Sequence, residues 1–130
     1  ANFIGSVNMF EGHVVSHEQD MVTIASEETG SELIVHHSQP LTQGMPVTVA
    51  VRPEKLKLTE KGTNPANEIT GTIQEIAYLG DVSIYHIDLP SGKRVQFTQS
   101  NIQALAELPL TWGQEITLTW SSHSCGVLSQ

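Results

Sequence analysis

The stretch Pro46-Val47-Thr48-Val49-Ala50-Val51-Arg52-Pro53-Glu54-Lys55-Leu56-Lys57-Leu58 decides the fold of this chain. The valines of its first half occupy odd-numbered positions, whereas the leucines of its second half occupy even-numbered ones. Each half alternates as a half-buried strand does. Because a one-residue slip moves every side chain to the opposite face, the two halves cannot form one regular strand. We therefore predict a bulge or break at Arg52-Pro53-Glu54, where the proline cannot donate to a ladder.

Outward from this stretch, short apolar or β-branched runs alternate with turn residues. They predict strands before Asp20 and over Met21–Ser26, Glu32–His36, Glu68–Tyr78, Val82–Leu89, Arg94–Thr98, Gln114–Trp120 and Val127–Leu128. An isolated Gly12 and a register slip within Glu68–Tyr78 predict two more bulges. The only helix expected is Asn101–Glu107, ended by Pro109. About nine short strands with one short helix predict an all-β barrel or sandwich, and long crossover helices for a parallel sheet are missing.

Composition restricts the possible functions. The 130 residues carry a net charge of −8, and residues 1–51 contain no lysine or arginine. Phosphate neutralisation supplies most affinity for nucleic acid, so we expect no nucleic-acid partner. The single cysteine, Cys125, excludes a disulfide framework, and no apolar run approaches the length of a membrane-spanning helix.

The chemistry-bearing residues point away from catalysis and metal binding. His13 and His17 would lie ~13 Å apart on one strand, which is too far for a single ion. We expect no catalytic, cofactor-binding or metal-ligating residue in these 130 positions. Tyr85, Trp112 and Trp120 are expected to pack in the core.

Several spaced motifs then align with a known family. They are Phe3-Ile4-Gly5-x2-Asn8-x3-Gly12, Arg52-Pro53-Glu54-x-Leu56, Asn67-x3-Gly71, Tyr78-Leu79-Gly80-Asp81, Trp112-Gly113 and Val127-Leu128. This series resembles the C-terminal regulatory domain of ATPase subunits in bacterial ABC importers, the transport-associated OB (TOBE) domain. Within that family the likeness is greatest to putrescine and other polyamine importers.

The resemblance implies an OB-type β-barrel over residues 1–130, part of a longer ATPase, with residues 1–12 leading in from a preceding nucleotide-binding domain. It implies a homodimer formed through the regulatory domain, membrane permease partners, and a place on the cytoplasmic side of the bacterial inner membrane. ATP and Mg²⁺ would belong to the parent protein. The chain itself has no G-x4-G-K-[ST] loop, signature motif or Walker-B strand, so we expect no ATPase activity from it.

Two segments are candidate regulatory or interface sites. Arg52, Pro53 and Glu54 would either pair across a dimer or form an internal pair that stabilises the bulge. Tyr78, Leu79, Gly80 and Asp81 form a predicted hairpin tip, which would either contact another domain or serve turn geometry alone.

The leading function is therefore a regulatory and dimerisation domain of an importer ATPase. The alternative is a small-ligand sensing module for a polyamine or an oxyanion at the barrel or dimer interface. The acidic first third motivates the polyamine version of this alternative.

Overall fold

The computed structural model describes residues 7–59, 66–100 and 110–129. Within these ranges there are ten strands: β1 (Asn8–Glu18), β2 (Met21–Ser26), β3 (Ser31–His36), β4 (Pro46–Val51), β5 (Lys57–Thr59), β6 (Glu68–Tyr78), β7 (Val82–Asp88), β8 (Arg94–Ser100), β9 (Glu115–Thr119) and β10 (Cys125–Ser129). Two single 3₁₀ turns, Pro53–Lys55 and Ser122–Ser124, precede β5 and β10. The all-β prediction is confirmed. The predicted helix, Asn101–Glu107, lies outside the described residues.

The strands form two five-stranded antiparallel sheets with the same internal order. The first is β10-β4-β1-β2-β3 and the second is β5-β9-β6-β7-β8. Each sheet therefore contains four strands from one half of the chain and one strand contributed by the other half. Because β5 and β10 are exchanged in this way, neither half has a complete sheet without the other.

The duplication extends to the details of β1 and β6. β1 begins at Asn8 and β6 begins directly after Asn67. Each shifts register between the sixth and eighth residues after that asparagine, which are Val14 and Ser16 or Ile73 and Glu75. The predicted bulge within Glu68–Tyr78 is thus confirmed.

Gly12 has a different role from the predicted one, because the bulge of β1 lies two residues beyond it. A Cβ at Gly12 would lie 2.5 Å from the carbonyl oxygen of Ala25, and one at the equivalent Gly71 would lie 2.5 Å from Ile87 Cγ2. Both glycines are required because the neighbouring strand approaches too closely for a side chain.

Two buried asparagines connect the halves reciprocally. Asn8 accepts from the N–H of Gln96 and donates to its carbonyl, both at 2.8 Å. Asn67 accepts from the N–H of Ile34 at 2.8 Å and donates to its carbonyl at 3.0 Å. Gln96 and Ile34 lie in β8 and β3, which end the two sheets. Each side-chain amide therefore forms hydrogen bonds with the backbone of an edge strand from the opposite half of the chain.

One apolar cluster fills the interior and draws on both sheets. The odd-numbered valines of β4 are buried, as the alternation predicts, and Leu56 is buried after the break. Tyr85 and Trp120 are core residues as expected, but the prediction for Trp112 is wrong. Its side chain is 58% exposed, since it lies in the turn before β9 and not on a strand.

Residues 8–12, assigned from the sequence to a lead-in, form the start of β1 and pair with β4. The closing strand is also longer than Val127–Leu128, because β10 begins at Cys125. No helix in the described residues is long and apolar enough to cross a membrane.

Candidate functional site

The break predicted at Arg52-Pro53-Glu54 is a 3₁₀ turn. The N–H of Lys55 donates to the carbonyl of Arg52 at 2.9 Å, and the N–H of Leu56 donates to that of Pro53 at 3.3 Å. Pro53 occupies the first helical position, where its missing N–H costs nothing, and its ring is buried. The turn carries the chain from β4 in the first sheet to β5 in the second.

The turn distributes its charged side chains to two sides. Residues three apart are eclipsed in a 3₁₀ turn, so Arg52 and Lys55 project together. Both line one surface depression, whereas Glu54 and Lys57 line another. We call the depression lined by Arg52 and Lys55 the basic groove, and the depression lined by Glu54 and Lys57 the acidic cleft.

The acidic cleft has a volume of about 350 Å³ and brings together the two segments singled out in the sequence. Glu54 of the turn and Asp81 of the β6–β7 hairpin both line it, with Lys57 beside them. Phe97, which is only 2% exposed, contributes to its wall from β8. The excess of carboxylates over ammonium groups in this cleft favours a cationic ligand over an anionic one.

The hairpin tip projects apolar surface into solvent. Tyr78 is 62% exposed and Leu79 is 58% exposed. Gly80 has a φ of +79°, a conformation that glycine adopts without strain, and the N–H of Leu79 donates to the carbonyl of Val82 at 2.8 Å. The turn geometry therefore explains Gly80, but it leaves the two large exposed side chains without a structural reason.

The basic groove lies on the outer face of the first sheet and has a volume of about 410 Å³. Met9, Ala50 and Gly126 are neighbours across β1, β4 and β10, so two small residues lie beside a methionine. Met9 is 45% exposed and Leu128 at the other side is 50% exposed. The sequence did not reveal this groove, because its members come from three distant segments and meet only through strand exchange.

The internal repeat provides a second copy of the Pro53–Lys55 turn with different chemistry. The turn Ser122–Ser124 corresponds to Pro53–Lys55, which places His123 where the first turn has Glu54. His123 stacks on His36 of β3 with the ring centroids 4.4 Å apart. Paired imidazoles thus stand at this position in one half, whereas a carboxylate lines an open cleft in the other.

One carboxylate of the acidic first third makes structural contacts. Glu28 accepts from the backbone N–H of Glu11 at 2.7 Å and lies 3.8 Å from the ammonium of Lys93. Ser91 donates to the carbonyl of Glu28 at 2.6 Å. Glu28 therefore joins the β2–β3 turn to the β7–β8 turn.

Three of the titratable groups have shifted pKa values with clear causes. Hydrogen bonds from the Arg94 guanidinium lower the pKa of Asp88, and the same pairing raises that of Arg94, which also contacts Glu75 at 2.9 Å. Burial raises the pKa of the Cys125 thiol. Within the described ranges no three His, Cys, Asp or Glu side chains are placed to hold a metal ion.

Comparison with protein families matches residues 49–128 to the TOBE domain. Over 130 residues the chain is 38% identical to the putrescine transport ATP-binding protein PotG of Escherichia coli K12, covering 99% of the chain and 34% of that relative. It is 33% identical to the spermidine/putrescine import ATP-binding protein PotA of Treponema pallidum, over 95% of the chain and 35% of that relative. The chain thus spans about a third of the length of these curated relatives.

Among solved structures, the cytoplasmic molybdate-binding protein ModG, in a form with molybdate bound, superposes with a TM-score of 0.82. The two share 20% sequence identity, and the match covers 95% of this chain and 96% of that one. This likeness extends to the whole fold, including both interlocked halves.

Proposed function

The chain belongs to the TOBE domain family, and from this premise we propose that it is the regulatory and dimerisation domain of a polyamine importer's ATP-binding subunit. The observation that carries the proposal is the similarity to PotG, which runs along 99% of the chain. The parent protein would bind ATP and Mg²⁺, work with membrane permease subunits and lie on the cytoplasmic side of the membrane.

The features of the surface support recognition as the role of these 130 residues. The hairpin tip exposes a tyrosine and a leucine, and the turn at Pro53–Lys55 separates two depressions of opposite character. Tyrosine and other large side chains of this kind are typical of protein contacts. We propose that the chain itself hydrolyses no ATP, since its sequence contains no phosphate-binding loop.

The test is a chimera in which this chain replaces the matched third of E. coli PotG. We expect putrescine uptake to be retained, and a protein truncated before the matched segment serves as the control. A chimera that accumulates normally and hydrolyses ATP, but supports no more uptake than the truncation, would refute the proposal.

The acidic cleft favours a second candidate function, the sensing of a polyamine. An ammonium group would pair with Glu54 and Asp81, and its methylene chain would pack on the half-buried Leu58 and Val82. Calorimetry with putrescine and spermidine at physiological salt tests this function, with molybdate as the oxyanion probe. We expect Glu54→Gln to weaken amine binding, while Glu32→Gln on exposed β3 leaves it unchanged. If millimolar amine produces no binding heat and no thermal shift, sensing is excluded.

A further inference from the structure

We propose that the basic groove of one copy of this chain receives the hairpin tip of a second copy, residues 78–81, and that the contact is reciprocal. This inference rests on the dimerisation proposed above and specifies its contact. The tip offers two exposed apolar side chains followed by a carboxylate, and the groove offers an apolar trough with cations at one end.

The shapes and polarities of the two surfaces correspond. Ala50 and Gly126 have the smallest side chains of the groove, and no atom lies within 4 Å of the position that a Cβ on Gly126 would take. Leu79 can therefore lie over these two residues, between Met9 and Leu128. Burying the exposed leucine against the exposed methionine removes apolar surface from water on both copies.

Charge complementarity selects the same orientation. Asp81 follows the apolar pair of the tip, and Arg52 with Lys55 borders the groove. In a chain of net charge −8 this is a local concentration of positive charge, and a direct meeting of two such grooves would place like charges together. Docking the tip instead pairs a carboxylate with the cations.

The positions of tip and groove permit a symmetric dimer. Asp81 reaches the acidic cleft on one side of the turn Pro53–Lys55, and the groove lies on the other side of that turn. Tip and groove thus both adjoin this turn. A two-fold axis beside the turn gives each copy one tip and one groove to contribute, as an isologous interface requires.

A charge exchange followed by sedimentation equilibrium tests the contact. Lys55→Glu and Asp81→Lys should each raise the dimer Kd about tenfold or more, and the double variant should restore much of the affinity. A Gln39→Glu/Gln43→Glu control makes the same change of net charge at two exposed residues of the β3–β4 loop, outside the tip and the groove, and should have little effect. Circular dichroism and the Tm of each variant establish that it is folded.

General repulsion predicts a different pattern. Asp81→Lys changes the net charge from −8 to −6 and would strengthen association by reducing repulsion between copies. The docking contact predicts weaker association. Leu79→Ser supplies an uncharged test, and Trp112→Ser removes an equally exposed apolar side chain from a turn outside the contact.

The possible outcomes separate this inference from the function on which it rests. A wild-type dimer that none of the groove or tip variants weakens overturns the contact and leaves dimerisation intact. Equal weakening by Lys55→Glu and by the Gln39→Glu/Gln43→Glu control also overturns it, because the effect is then one of net charge. A wild-type chain that is monomeric up to millimolar concentration overturns the proposed dimerisation and the contact together.

Discussion

Replacing Asn67 by alanine removes three side-chain hydrogen bonds, two of which join the two halves of the chain. The amide accepts from the N–H of Ile34 at 2.8 Å and donates to the carbonyls of Ile34 and Trp120 at 3.0 and 3.3 Å. Asn67 has no exposed surface, so water does not replace these partners. At about 1 kcal/mol net for each bond, we expect Asn67→Ala to lower the free energy of unfolding by about 3 kcal/mol.

The internal repeat supplies the matched comparison. Asn8 makes two equivalent hydrogen bonds to Gln96, so by the same reasoning Asn8→Ala should lower the free energy of unfolding by about 2 kcal/mol. Gln74 is an exposed amide on the bulged strand, and Gln74→Ala should change stability by less than about 0.5 kcal/mol.

Urea unfolding with linear extrapolation measures all three values, and the m-value should not change. Because the strand exchange interlocks the halves, each variant should still unfold in one transition. Asparagine variants that lose no more stability than Gln74→Ala would refute the argument that the amides connect the halves. Two separate transitions would refute the interlocking itself.

Three further predictions follow from local geometry. Gly71→Ala should lower the free energy of unfolding by about 1–3 kcal/mol in the urea assay, because its Cβ would lie 2.5 Å from Ile87 Cγ2 and 2.8 Å from the carbonyl oxygen of Asp88. An unchanged free energy of unfolding would contradict this. Cys125 should react with a thiol reagent more slowly than free cysteine at neutral pH, since burial raises its pKa, and rapid reaction there would contradict it. Arg94 lowers the pKa of Asp88, so the pair's contribution to stability should be present above about pH 3.9 and be lost as the pH falls through the lowered native pKa. In Arg94→Gln, an NMR titration should show the Asp88 pKa rising towards its ordinary value.

The sequence predicts most strands because their signal is local. Alternation in β2, β4 and β8 identifies the buried face of each strand without knowledge of its neighbours. The repeated spacings Asn8-x3-Gly12 and Asn67-x3-Gly71 are also visible in the sequence. Their meaning is visible only in the structure, where each asparagine bonds an edge strand of the other half and each glycine accommodates a closely packed neighbour.

The parts of the candidate site differ in how far local pattern reveals them. The turn at Pro53–Lys55 is predictable because a register conflict and a proline coincide. The basic groove is not, since Met9, Ala50 and Gly126 become neighbours only when β10 joins the first sheet. The exposure of Trp112 was likewise hidden, because composition suggests a core aromatic but cannot show that this one lies in a turn.

The two equivalent turns separate the structural role of Arg52-Pro53-Glu54 from a recognition role. Both turns carry the chain from one sheet to the other, and each buries its first residue, Pro53 or Ser122. Changing sheets therefore requires a short 3₁₀ turn with a small buried residue, and the second turn achieves it without arginine, lysine or glutamate. The corner explains the break in register and the buried proline. It does not explain the charges, which the first turn alone presents to a groove on one side and a cleft on the other. The binding proposed at this turn would account for them, and the charge exchange at Lys55 and Asp81 tests that binding directly.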